Sequence, residues 1–275
     1  MLLSLSGFLF EDGYHTQSIP FARFCRMARA AGYVGVELRR TQVNLETSKP
    51  LRRELLDIVT SEGLTVTCLT TRGLPPGGPQ RDVFFDRYLE LCRDLRCGLL
   101  KISSDAAWLR DAAARAAAHD VALAGNNHLG GDLETVAGTR RVLGAVGHPN
   151  YGLLYDPAHL TAAGEDCLGC IGELLPVTRN VLVQSIRPAR AGERAAMTHG
   201  GRRWAKGLID ETGVQDWPAI LSTFRRLGYD GLVTVIENGW PNERRSCIAR
   251  RCADAIRAWW NDPSGARRCA SCSSW

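Results

Sequence analysis

Lysine is scarce in this chain: of 34 basic residues only Lys49, Lys101 and Lys206 are lysines, and the rest are arginines. The arginines are scattered or stand in short pairs such as Arg39-Arg40, Arg202-Arg203 and Arg250-Arg251, with no aromatic residues interleaved along a basic stripe. That pattern argues against a nucleic-acid interface, while a net charge of +5 leaves a mild preference for anionic small molecules. Long apolar runs are also missing. No window approaches the roughly 18 apolar residues of a membrane span, so no membrane partner is expected. The opening MLLSLSGFLF lacks a basic leader and acidic residues follow it, so it reads as a first strand and not as a secretion signal. A cytoplasmic location is the expectation. Without a leader, the ten cysteines do not suggest a disulfide scaffold. Two Cys-x-x-Cys pairs, Cys167/Cys170 and Cys269/Cys272, lie roughly a hundred residues apart, too far for a zinc ribbon.

What remains is an ordinary globular composition, 275 residues with 45% hydrophobic and 23% charged side chains. Short apolar runs alternate with longer amphipathic stretches. The strand candidates are Leu2–Ser6, Val34–Leu38, Leu64–Leu69, Leu99–Ile102, Val121–Ala124, Gly152–Tyr155, Val181–Ile186 and Leu232–Ile236. Helical spacing falls near 18–31, 50–62, 81–96, 105–118, 132–146, 166–175, 215–227 and 244–260, as in Leu51, Leu55, Leu56 and Val59. Strict β-then-α alternation implies a parallel sheet with helical crossovers, and eight such units predict an α/β fold, a single (β/α)8 TIM barrel. No Gly-x-Gly-x-x-Gly follows the first run, which counts against an open dinucleotide-binding sheet. Residues 1–262 are read as the barrel and 263–275 as a flexible tail.

In such a barrel, chemistry sits where the strands end and the loops into the helices begin. The fifth run is followed by Asn126-Asn127-His128, the sixth by Asp156-Pro157-Ala158-His159, the seventh contains Gln184, and the eighth leads to Glu237. Four oxygen-bearing side chains at successive strand ends, Asn126, Asp156, Gln184 and Glu237, suit a hard divalent cation.

These segments resemble those of a known family. Gly32-Tyr33-Val34-Gly35-Val36-Glu37-Leu38, Asn127-His128-Leu129-Gly130-Gly131, the stretch from His148 to Leu160 with its Tyr155-Asp156-Pro157-Ala158-His159, Gly228-Tyr229-Asp230-Gly231 and Glu237 stand in the order and spacing of the sugar phosphate isomerase/epimerase group of xylose isomerase-like TIM barrels. That group also includes dehydratases and endonuclease relatives, and the likeness covers roughly residues 15–260. The resemblance implies a metal held by Glu, Asp, His and Glu at the ends of strands five to eight. Carried onto this chain, the Asp is Asp156 and the last Glu is Glu237, whereas Asn126 and Gln184 stand where Glu and His are usual. It further implies a substrate role for His159 and for Arg190.

The departures lower the charge of the ligand set and remove one base, because an amide cannot accept a proton at ordinary pH. Glu237, His128 and His159 remain as acid/base candidates. Glu37, Arg72 in its Gly/Pro-rich loop, Arg190 and Trp204 are candidate substrate contacts, with Lys206 beside Trp204 as a further cover for the pocket; His15 and His119 read as surface residues. The first reading is an isomerase or epimerase dependent on Mn2+ or Mg2+ (Co2+ or Zn2+ as alternatives). It acts on a small polyhydroxylated carbonyl compound through an ene-diolate, with Glu237 as ligand and base, so that Glu237→Gln abolishes turnover. The alternatives are a lyase of the 3-dehydroshikimate or inosose dehydratase kind and a sugar-binding barrel without catalysis. The expected partners are a sugar-like small molecule and a second copy of the chain in a homodimer.

Overall fold

A computed structural model describes residues 1–70 and 73–261. Eight parallel strands close into a barrel: β1 (Leu2–Ser6), β2 (Gly35–Arg39), β3 (Thr65–Thr70), β4 (Leu99–Lys101), β5 (Ala122–Asn126), β6 (Tyr151–Tyr155), β7 (Thr178–Val183) and β8 (Leu232–Val235). Each strand pairs with its neighbours in sequence, and β8 closes on β1 through Leu2↔Leu232 to Leu5↔Val235. The helices are α1 (Phe21–Ala30), α2 (Lys49–Ser61), α3 (Pro79–Asp94), α4 (Ala106–Ala117), α5 (Val136–Val146), α6 (Pro157–Ala163), α7 (Ile171–Leu174), α8 (Trp217–Arg226) and α9 (Asn242–Asn261). The fold is a single (β/α)8 TIM barrel, as the alternation predicts.

The two-residue period of a strand divides its side chains between two environments. One set faces the helices and joins the large outer core, with Leu3, Leu5, Val36, Leu38, Leu123, Leu153, Tyr155, Val181, Val183, Val233 and Val235. The other fills the barrel, with Cys68, Leu99, Ala124, Leu154, Leu182, Leu232 and Ile236. A register shift between β2 and β3, where Val36 pairs with Val66 but Glu37 pairs with Cys68, resets the alternation. It turns Cys68 inward and Leu69 outward.

Two helix starts matter for the site. Asp156 caps α6, its carboxylate accepting from the N–H groups of Ala158 (3.1 Å) and His159 (3.3 Å), and Pro157 fills the first helical position, where no N–H is needed. Gly164 ends the helix at φ +88°, a left-handed conformation open to glycine. This seven-residue helix was not foreseen, although Asp-Pro is a legible start signal; only α7 falls in the expected 166–175 stretch. The run Val181–Ile186 was also read as one strand. It divides at Gln184: β7 stops at Val183, and Ile186–Pro188 joins an antiparallel sheet with Met197–His199 and Arg202–Lys206. The tail from residue 263 and the pair Cys269/Cys272 lie outside the described residues.

Candidate active site

Strand parity decides which polar residues reach the mouth of the barrel. The inward positions at the strand ends are Ser6, Glu37, Thr70, Lys101, Asn126, Asp156 and Gln184, and on the last strand Ile236 followed by Asn238. All but the buried Ser6 border a cavity of about 470 Å³ whose wall includes Glu37, Lys101, Asn126, His128, Asp156, His159, Gln184 and Lys206. Three of the four residues read as oxygen donors, Asn126, Asp156 and Gln184, therefore do converge. Next to Asn126, Gly125 keeps the strand close to its surroundings. A Cβ there would overlap the Leu133 side chain and meet the Tyr151 hydroxyl at 2.5 Å.

Asp156 is fully buried and anchors this wall. Besides capping α6, its second oxygen accepts from the Gln184 side-chain amide at 2.8 Å, and Gln184 in turn accepts through its carbonyl oxygen from the Lys206 ammonium at 3.1 Å. Burial pulls the Lys206 pKa below its ordinary value, opposed by the charges of Glu237 and Asp156. Burial does the same to Lys101, opposed first by Glu37. Glu37 accepts from Ser6 Oγ at 2.9 Å and from Thr70 Oγ1 at 3.1 Å. It does not pair with Arg39, which lies 3.0 Å from Glu11 and over the Phe8 ring.

The two histidines stack with ring centroids 4.3 Å apart, and their backbone contacts fix opposite tautomers. His128 Nδ1 lies 2.8 Å from the Leu129 carbonyl oxygen, which can only accept, so Nδ1 carries a proton and the lone pair of the uncharged ring falls on Nε2. His159 Nδ1 instead accepts from the Leu129 N–H at 3.3 Å, so its proton sits on Nε2. That Nε2 is 3.8 Å from Asp156 Oδ2, beyond hydrogen-bond length. Burial, helped by the positive charges of Lys101 and Lys206, lowers the His159 pKa against the opposing pull of Asp156, which keeps the ring neutral at neutral pH.

Glu237 requires a correction. Its strand neighbours Val233 and Val235 face the helices, and it shares their parity, so Ile236 and Asn238 line the cavity and Glu237 does not. Its carboxylate accepts from the Ser185 N–H at 2.7 Å and from the Trp240 indole at 3.0 Å. Burial raises its pKa, opposed first by the charge of Lys206. This is the environment of a structural carboxylate and not of a base that reaches substrate. Glu237→Gln is accordingly expected to retain turnover within a few-fold. Its amide would turn a second donor toward either Ser185 or Trp240, costing about 1–3 kcal/mol of stability. Thermal melting beside an activity assay checks both parts.

Two further candidates also fall away from the cavity. Arg190 is exposed on the loop after the Ile186–Pro188 strand, where its N–H donates to Glu193. Trp204 packs beneath the antiparallel sheet with Leu129, Ala158, Ala162, Ile186 and Met197, so it seats that sheet on the barrel instead of touching the cavity. Arg72 lies outside the described residues. Lys101 was missed altogether, although a lysine closing the apolar run Leu99-Leu100 was a signal in a chain with three lysines.

The residues present do not fit a divalent metal. Of the expected ligands, one carboxylate and two amides face the cavity, and the Gln184 oxygen already accepts from an ammonium group. Hard cations draw their affinity from several anionic oxygens, and Lys101 and Lys206 add positive charge to the same wall. Among the described residues, no group of three or more His, Cys, Asp or Glu side chains is placed to hold a metal.

The closed parallel barrel with a polar pocket at the strand ends defines the architectural class. Within it the chain belongs to the xylose isomerase-like TIM barrel family, whose profile matches residues 25–259. Curated relatives include the inosose dehydratases of two Mesomycoplasma hyopneumoniae strains, 7448 and 232. Each is 22% identical over 145 residues, which take in 51% of this chain and 48% of the relative. The match thus spans about half the length of those proteins. Among solved structures, the probable 3-DHS dehydratase AsbF of Bacillus anthracis superposes with a TM-score of 0.74 at 18% identity, covering 94% of this chain and 99% of that one. A D-psicose 3-epimerase of Clostridium cellulolyticum H10 gives 0.71 at 14% identity, covering 94% and 99%. At these identities the structural likeness speaks to the fold alone.

Proposed function

We propose that the chain is a lyase that removes water from a small polyhydroxylated carbonyl compound bound in the barrel mouth. The observation that carries this reading is the tautomer pair. His128 presents a basic Nε2 to the cavity, while His159 beside it presents an Nε2–H donor. His128 would take the proton from the carbon next to the carbonyl. The electrons of that C–H bond form the carbon–carbon double bond, the C–O bond one carbon further breaks, and the protonated His128 returns its proton to the departing hydroxide. Meanwhile the neutral His159 N–H and the Lys206 ammonium would hold the carbonyl oxygen as negative charge develops on it. One group acting first as base and then as acid suffices for elimination. A two-base epimerisation would need a second base across the cavity, and the candidate there is Glu37, whose Oε1 accepts from Ser6 and Thr70. The inosose dehydratases among the curated relatives support the same choice.

The test is to incubate the protein with inososes, 3-dehydroshikimate and ketohexoses and to follow ultraviolet absorbance and product mass together. The proposal expects a product lighter than the substrate by one water and more extensively conjugated: an enone or its enol from the inososes and ketohexoses, an aromatic ring from 3-dehydroshikimate. A product of unchanged mass that takes up solvent deuterium next to the carbonyl would make the chain an isomerase or epimerase. Binding without turnover across the panel would favour the non-catalytic barrel.

A further inference from the structure

We infer that the Lys206 ammonium is the resident cation of this site, filling by means of the protein itself the place where the barrel mouth gathers its oxygen donors. Its nitrogen stands 3.1 Å from Gln184 Oε1, and Gln184 holds Asp156 at 2.8 Å through its other side-chain atom. The charges of Glu237 and Asp156 both favour the protonated form of Lys206. Those are the two acidic residues expected to share one doubly charged atom, and the cation that the Gln184 oxygen holds here is a single ammonium.

The architecture explains how it arrives there. Lys206 ends the strand Arg202–Lys206, which pairs antiparallel with Ile186–Pro188 in the register Ile186↔Lys206. The sheet that follows β7 therefore folds back and returns Lys206 to the rim just past Gln184. Trp204, two residues earlier, packs against Ala158, Ala162 and Ile186 and fixes the approach. The residue type also fits. A chain that otherwise uses arginine for its basic side chains spends two of its three lysines, Lys101 and Lys206, on this one cavity. A compact ammonium can lie among oxygens where the broad guanidinium fork would not.

The inference does not depend on the lyase reading, because its test requires no substrate. Protein treated with EDTA is expected to melt at the same temperature with and without excess Mn2+, and untreated protein to carry no stoichiometric divalent metal. Lys206→Met is expected to lower the melting temperature by several degrees, since the buried Gln184 oxygen loses its donor and Asp156, held by the same amide, loses the positive charge beyond it. In an Asp156→Asn background the same substitution should cost clearly less. A Mn2+-dependent rise in the melting temperature of the unaltered protein, one equivalent of metal that returns after stripping, or an equal Lys206→Met loss in both backgrounds would each overturn the inference. Should Lys206→Met not fold, the Mn2+ titration of the unaltered protein decides alone.

Discussion

His128→Ala is expected to lower kcat/KM by about two to four orders of magnitude, the range for losing a positioned acid/base group, while leaving the melting temperature nearly unchanged. The second half follows from exposure. His128 lies on the loop after β5 with its side chain open to solvent, and its main contacts are the Leu129 carbonyl and the face of His159. Truncation therefore opens no core cavity and strands no buried donor. The first half follows from the tautomer, since His159 Nδ1 is already engaged by the Leu129 N–H and the lone pair on His128 Nε2 meets no backbone donor among the described residues. His128→Gln, which retains size and a donor but cannot be protonated, should fall as far as alanine. Steady-state kinetics and thermal melting, run side by side on both variants, check the prediction. Equal losses of activity and stability would mean that His128 holds the loop and does not carry the chemistry.

Asp156→Ala should act in the opposite sense, chiefly on folding. The side chain is fully buried, caps α6 at two N–H groups and accepts from Gln184, and its charge faces Lys206. Removing it strands the buried Gln184 amide and deprives the helix of its cap. An unsatisfied buried donor costs about 1–3 kcal/mol, and loss of the cap adds about 1 kcal/mol. A fall in the melting temperature on the order of 5 °C is expected. Asp156→Asn keeps a capping oxygen and should lose less, so the gap between the two variants isolates the capping contribution.

The barrel was legible because its signals are repetitive. Each strand is a short apolar run and each crossover a 3.6-residue pattern, so errors of one or two residues at the ends, as at Val34 against Gly35, do not alter the architecture. The site was less legible because it depends on parity. A shift of one residue at a strand end turns a side chain from cavity to core. The run Leu232–Ile236 points Ile236 inward and Glu237 outward, so the acidic residue that looked like a ligand serves the packing around Ser185 and Trp240. Parity counted from Leu232 would have shown this. The position of Lys206 could not be read in that way. It depends on an antiparallel excursion whose strands are three to five residues long and whose pairing joins residues about twenty apart. The sequence singles out Asn126, Asp156 and His128 because they stand just past apolar runs, Gln184 because it lies within one, and His159 through the family resemblance, whereas the hydrogen bonds that give the two histidines different protons depend on the backbone of Leu129.

Nitrogen-15 NMR of the imidazole rings, on protein labelled at its six histidines, reads those protons directly. His128 should carry its proton on Nδ1 and His159 on Nε2 near neutral pH, and His159 should remain neutral as the pH falls past 6.5, where an ordinary imidazole is half charged. A proton on His128 Nε2, or a His159 ring already charged at that pH, would contradict the assignment of base and donor.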